Sequence, residues 1–130
     1  MKTVIVRAHK QPEITEIEDN LNSLQEAVEG YIEAVYIKDG YVLVCNEEGK
    51  LHGLELNRAL YGKDYYGEGS DEPEEMIDII AGPFLVLKTG EDNFVGLTDA
   101  EAQQMYKRFE KPESFFRMLG RIVCGYEQRG

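Results

Sequence analysis

The chain has 130 residues, 42% of them hydrophobic and 30% charged, and its 25 Asp and Glu outweigh 14 Lys and Arg to leave a net charge of −11 at pH 7. That is enough chain to bury one core without metal or disulfide staples, and no run approaches the roughly 18 apolar residues of a membrane span. The acidic balance argues against non-specific DNA or RNA binding, which relies on many Lys/Arg–phosphate contacts, but leaves room for a small anionic ligand in a locally opposed pocket.

The opening MKTVIVRAHK has a short apolar run interrupted by Arg7 and lacks the h-region and cleavage site of a signal peptide. It reads as a first strand, Thr3–Arg7, in a cytosolic protein. His9–Pro12 is a turn, and Glu13–Glu18 alternates as a half-exposed strand does. A helix is expected from Asn20 or Ser23 to Glu29, with Ser23 and Glu26 as a capping box, Leu21, Leu24 and Val28 as its apolar stripe and Gly30 as its stop. Tyr31–Ile37 alternates, Asp39-Gly40 suits a tight hairpin turn, and Tyr41–Cys45 is apolar on both faces, as a central strand is. After a turn at Glu47–Lys50, Leu51–Leu56 is expected to complete a three-stranded antiparallel meander.

Residues 62–75, rich in Gly, Tyr and acids, are expected to form a mobile acidic loop. Met76–Leu87 resumes as strand, with a bulge or edge at Gly82-Pro83. Thr89–Asn93 turns into a short return strand, Phe94–Leu97. Thr98 and Glu101 form a capping box for a helix carrying Ala102, Met105, Tyr106 and Phe109. Beyond Lys111-Pro112, the spacing of Phe115, Phe116, Leu119, Ile122 and Val123 predicts a second helix. The class is α+β: a single domain over 1–130, with a mostly antiparallel meander covered by two to three helices.

Arg58, beside Asn57 in an otherwise apolar run, is the sharpest candidate for anion recognition; its alternative is a structural ion pair. Phe84 follows a distorted Gly-Pro step and either offers its ring to a planar base or fills the core. Asn93 suits a turn. Arg108 complements the dipole of its helix and could reach over the sheet edge. Arg117 and Arg121, four apart, would share one face of the last helix, as a solvated face or as a second, symmetric anion site between subunits.

His9, His52, Cys45 and Cys124 lack ligand spacing, so no metal is expected, and the cysteines read as reduced thiols. No Ser/His/Asp set, Walker loop, HExxH or GxGxxG occurs, and GEGS at 67–70 is too acidic to cradle phosphate. The expectation is a binding protein without cofactor rather than an enzyme.

The segments GYIEAV, VCNEEGKLHGLELNRAL, DIIAGPFLVL and GLTDAEAQQMYKRF resemble a family of small phage and mobile-element proteins of formerly unknown function, and within it the Thoeris anti-defence sponges. The resemblance implies capture, without degradation, of cyclic ADP-ribose isomers such as glycocyclic ADP-ribose, made by TIR proteins. It further implies cyclic trinucleotides at a separate site, a homodimer or hexamer, and the cytoplasm of an infected bacterium. On matching positions it places Phe84, Asn93 and Arg108 at adenine and phosphates, and Arg58 at a second anionic site. The charge of −11 keeps an alternative open: an acidic DNA mimic, or another protein-binding inhibitor of a host defence system.

Overall fold

β-Branched and aromatic residues at alternating positions favour pleated, half-buried surfaces, and most of the chain is strand. The computed structural model describes residues 1–118 and 121–126. Among the described residues, ten strands and three α-helices, with a 3-10 turn at Lys38–Gly40, run in the order β1 (Lys2–Val6), β2 (Glu13–Glu16), α1 (Leu21–Val28), β3 (Ile32–Tyr36), β4 (Tyr41–Asn46), β5 (Leu56–Tyr61), α2 (Gly62–Tyr66), β6 (Met76–Ala81), β7 (Phe84–Thr89), β8 (Phe94–Val95), α3 (Asp99–Arg108), β9 (Glu113–Met118) and β10 (Arg121–Tyr126). The α+β class with a mostly antiparallel sheet holds.

The main sheet has the order β2-β1-β7-β4-β3, with β8 paired to the end of β7. Every pairing is antiparallel. Side chains on successive strand residues point to opposite faces, so apolar runs such as YVLVCN feed two cores at once. Val42, Val44, Leu85 and Leu87 pack on one face beneath Leu24 and Val28 of α1. Leu43, Cys45, Phe84 and Val86 pack on the other, against Met105 of α3, Phe109 just past its end, and Leu60 and Ile80 of the β5–β6 ribbon. The result is three layers, with β4 and the first part of β7 buried on both faces.

The local signals at α3 and at the β3–β4 turn hold, and the expected Ser23–Glu26 capping box of α1 does not. Thr98 and Glu101 make the reciprocal capping box of α3. Asp39 and Gly40 both take positive φ, 63° and 75°, between β3 and β4. At α1 the cap lies three residues earlier than the Ser23–Glu26 pair: the Asn20 side chain accepts from the Ser23 amide at 2.8 Å, and Glu29 closes the helix at φ 66°. The segment 62–75 opens with α2 and folds back so that the Gly62 and Lys63 amides donate to Glu75 and Pro73.

Three expectations are corrected. Leu51–Leu56 is not the third meander strand; residues 51–53 are turn, β5 starts at Leu56, and its partner is β6 in a separate ribbon. The strand that pairs with β4 on its other side is β7. Gly82-Pro83 is neither a bulge nor an edge within one strand but the junction at which the chain leaves that ribbon for the main sheet. The last helix is a β-hairpin, β9–β10. Helical spacing of Phe115, Phe116, Ile122 and Val123 is equally satisfied by two short antiparallel strands, and aromatic and β-branched residues favour the strands. Leu119 of that expected stripe lies outside the described residues.

Gly82 sits at φ 83°, and a Cβ there would meet Leu54 Cδ1 at 2.6 Å. Gly82→Ala is expected to lower stability by about 1–2 kcal/mol from the left-handed backbone alone, and further if Leu54 cannot move. Urea denaturation measures the loss.

Candidate functional site

Four of the residues expected to hold an anion converge, but on one another. β5 enters the core with Asn57 and Arg58 both fully buried. The Asn57 amide donates to Val6 O and Gly82 O, each at 2.9 Å, which ties the end of β1 to the sheet junction. Arg58 Nε and Nη2 donate to Phe109 O at 3.2 and 2.9 Å, Nη2 also to Lys10 O at 2.7 Å, and Nη1 to Asn57 Oδ1 at 2.9 Å. Phe109 O belongs to the C-terminal end of α3, where carbonyls are left over and the helix dipole is negative. The guanidinium is therefore held by carbonyl dipoles from several elements, and it has no exposed surface.

Phe84 has no exposed surface and meets the Phe109 ring edge-on, at 5.2 Å between centroids and 81° between planes. Arg108 lies over that ring at 4.5 Å and is doubly bonded to Asp64, Nε to Oδ1 at 2.6 Å and Nη2 to Oδ2 at 2.7 Å. Nη2 also donates to Ala59 O. Burial alone would lower the Arg108 pKa, but the hydrogen bonds and charge of Asp64 carry it above its ordinary value. Asp64 in turn accepts from the Tyr61 amide at 2.8 Å. On the same edge of β5, the buried carboxylate of Glu113 accepts from the Ala59 amide and from the Cys124 thiol. Burial first, then the bond to Glu113, pushes that thiol up to about 11, and burial pushes Cys45 up to about 12. Both cysteines are free. The outer edge of β5 is thus sealed by side chains.

Asn93 lies elsewhere. Phe84 opens β7 and Thr89 ends it, a separation of about 17 Å at ~3.3 Å per residue, and Asn93 is in the turn beyond. It lines a cleft of about 780 Å³ together with Asp19, Leu21, Tyr36, Asp92 and Phe94. Arg117 and Arg121 are on β9 and β10 rather than one turn apart on a helix, so the shared helical face does not exist; their side chains lie outside the described residues.

What the surface offers instead is carboxylate. A cleft of about 180 Å³ between β4 and β6 is lined by Glu33, Glu47 and Asp78, the last paired with Lys50 at 2.6 Å. Its neighbour, about 280 Å³, shares Asn46 and Glu47 with it and adds Glu29, Glu48 and Tyr31. A third, about 300 Å³, shares Glu29 and adds Glu55, opposed by Arg7 and Lys10. Asp71, Glu72 and Glu75 line a further cleft of about 620 Å³ beside α2. There the Glu75 carboxyl is raised above its ordinary value by its hydrogen bond to Glu72 and that group's charge. Among these acids stand exposed apolar side chains, Tyr31, Tyr36 and Leu21. Asp71, Glu72 and Glu75 belong to the acidic run legible at 62–75; Glu29, Glu33 and Glu47-Glu48 come from separate elements and were legible only as polar positions of a helix end, a strand and a turn.

Removing Arg108 while leaving Asp64, whose side chain is 5% exposed, strands a buried charge. Arg108→Leu is expected to cost about 3–5 kcal/mol, measured by chemical denaturation, and Asp64→Asn on that background should restore part of it. A variant as stable as the parent would show that this arginine is not a structural tie.

A family model described as a domain of unknown function, DUF3846, matches residues 1–110. No curated protein and no solved structure matches the chain. The match takes in the main sheet, the β5–β6 ribbon and all three helices, and ends before the β9–β10 hairpin. The chain belongs to the DUF3846 family.

Proposed function

We propose that this protein acts by binding, without catalysis, and that its carboxylate-lined surface is what meets the partner. One contrast carries the reading: Arg58 and Arg108, the cations best suited to hold phosphate, are consumed inside the fold, while carboxylates line three clefts without a Lys or Arg among them and outnumber or match the cations, Lys50 in one and Arg7 and Lys10 in the other, in two more. Such a surface suits a partner rich in lysine and arginine, of the kind that otherwise grips nucleic acid. A net charge of −11 would also steer such a partner in and speed encounter. An acidic mimic that occupies a DNA-binding protein fits this description.

A second reading, sequestration of a cyclic ADP-ribose isomer, is favoured by the cleft at Asn93. Its volume of about 780 Å³ falls in the usual range for small-molecule sites. Tyr36 and Phe94 offer rings for a base, and the first turn of α1 beside them holds no acid. The acids Asp19, Glu91 and Asp92 on its rim weigh against an anion there. Under this reading the protein would work in the cytoplasm of an infected bacterium, as a homodimer or hexamer.

Equilibrium dialysis against two labelled probes, a short oligolysine peptide and a cyclic ADP-ribose isomer, separates the two. The first reading expects retention of the peptide, weakened as salt shortens the Debye length from about 30 to about 8 Å, and lost on neutralising Glu29, Glu47 and Glu48. Retention of intact cyclic nucleotide, released on heating and reduced by Tyr36→Ala, would establish the second reading instead. Conversion of that probe to a product would overturn both.

A further inference from the structure

The free edge of β3 has the chemistry of a docking strip, and we infer that it takes up an extended segment of a basic partner protein as an added strand. This rests on the acidic-surface reading above and says where and how the partner sits. β3 ends the main sheet. Tyr31 O accepts from Glu47 N, and Ile37 N donates to Tyr41 O, so the odd-numbered residues face β4. In an antiparallel pair the alternate residues turn their N–H and C=O away; in β3 these are Ile32, Ala34 and Tyr36. No hydrogen bond to those groups is made by the described residues.

Sheet edges are usually blunted by proline, lysine, a bulge or a cover. The outer edge of β5 is covered by Glu113 and Arg108, and β2 at the opposite end of the main sheet is only four residues long. β3, IEAVY, one residue longer, has a regular register with β4 and no proline, lysine, bulge or cover, and Glu33 is its one charged side chain.

The edge also lies between two clefts, one on each face of the sheet. Glu33 and Val35 line the narrow cleft with Glu47 and Asp78. Ile32 and Tyr36 line the wide one with Leu21 and Phe94. A strand laid against β3 sends alternate side chains to alternate faces. Those beside Glu33 and Val35 would meet Glu33 and Glu47, with Asp78 already paired to Lys50, and those beside Ile32 and Tyr36 would meet Leu21 and Phe94 within a rim of Asp19, Glu91 and Asp92. The matching segment alternates lysine or arginine with apolar residues. Backbone pairing would supply affinity and the two clefts the selection, as in other strand-addition complexes.

The test is fluorescence anisotropy with a labelled peptide of alternating lysine and valine. Its controls are a peptide of the same composition in two blocks and the alternating peptide N-methylated at every second residue. The alternating peptide should bind best, with about a tenfold loss on N-methylation, the equivalent of one or two net hydrogen bonds. Ala34→Pro on the protein should cost as much, since the Ala34 amide points outward and the ladder to β4 is spared. N-methylation tests the same contact with the protein unchanged, should that variant fail to fold. Equal binding of the blocked and N-methylated peptides would overturn strand addition while leaving the acidic-surface reading standing. No binding of any basic peptide would overturn both. A dimer in light scattering that Ala34→Pro dissociates would make a second copy of the chain the occupant, and overturn the assignment to a partner.

Discussion

A guanidinium at 0% exposure is among the costliest groups a small domain can bury, and the arrangement around Arg58 explains why this one is tolerated. Desolvating a charge is unfavourable unless hydrogen bonds replace the lost water. Here the replacement comes from carbonyls of Lys10, Asn57 and Phe109 and from the Asn57 side chain. Those acceptors belong to the β1–β2 turn, β5 and the end of α3, while Asn57 reaches Val6 and Gly82. Elements distant in sequence are thereby fixed at one point where the main sheet, the β5–β6 ribbon and α3 meet. The packing of Phe84 against Phe109, and of Arg108 over Phe109, follows from that junction.

Using its best cations internally leaves the protein with an acidic exterior. Asp64 and Glu113 are drawn inward with Arg108 and the β5 backbone, but the acids of β3, of the turn after β4 and of residues 71–75 remain on the clefts. Such a surface repels phosphate, and at Glu75 the hydrogen bond to Glu72 and that group's charge raise the carboxyl above its ordinary value. It also supplies long-range attraction for cations before any contact forms. The two edges of strand backbone were treated differently: side chains close β5, and β3 stays open beside the acids.

Short-range signals were legible because their physics is local. A capping box at Thr98–Glu101, a positive-φ pair at Asp39-Gly40 and two-faced apolar strands at β4 and β7 need no distant residue to be understood. The reading of Phe115–Val123 as a helix failed because Phe115, Phe116, Ile122 and Val123 can be seated on two short strands as well as on a helix, and pairing between β9 and β10 decides between them. The expected ligand set failed to assemble for a related reason. Arg58 and Arg108 have the right chemistry for an anion, yet residue type does not say whether an arginine faces a cleft or a carbonyl.

Composition, charge and patterning alone determined the α+β class, the strongly acidic balance and most element boundaries, since these depend on residue type and on neighbours within a few positions. Only the tertiary structure decided which groups remain for a partner. Burial turned Asn57, Arg58, Phe84 and Arg108 into a structural tie, separated Asn93 from them by the length of β7, and gathered Glu29, Glu33, Glu47 and Asp78 around an open strand. Hydrogen-bond satisfaction in the core is a long-range condition, and it selected which of the charged residues the protein presents.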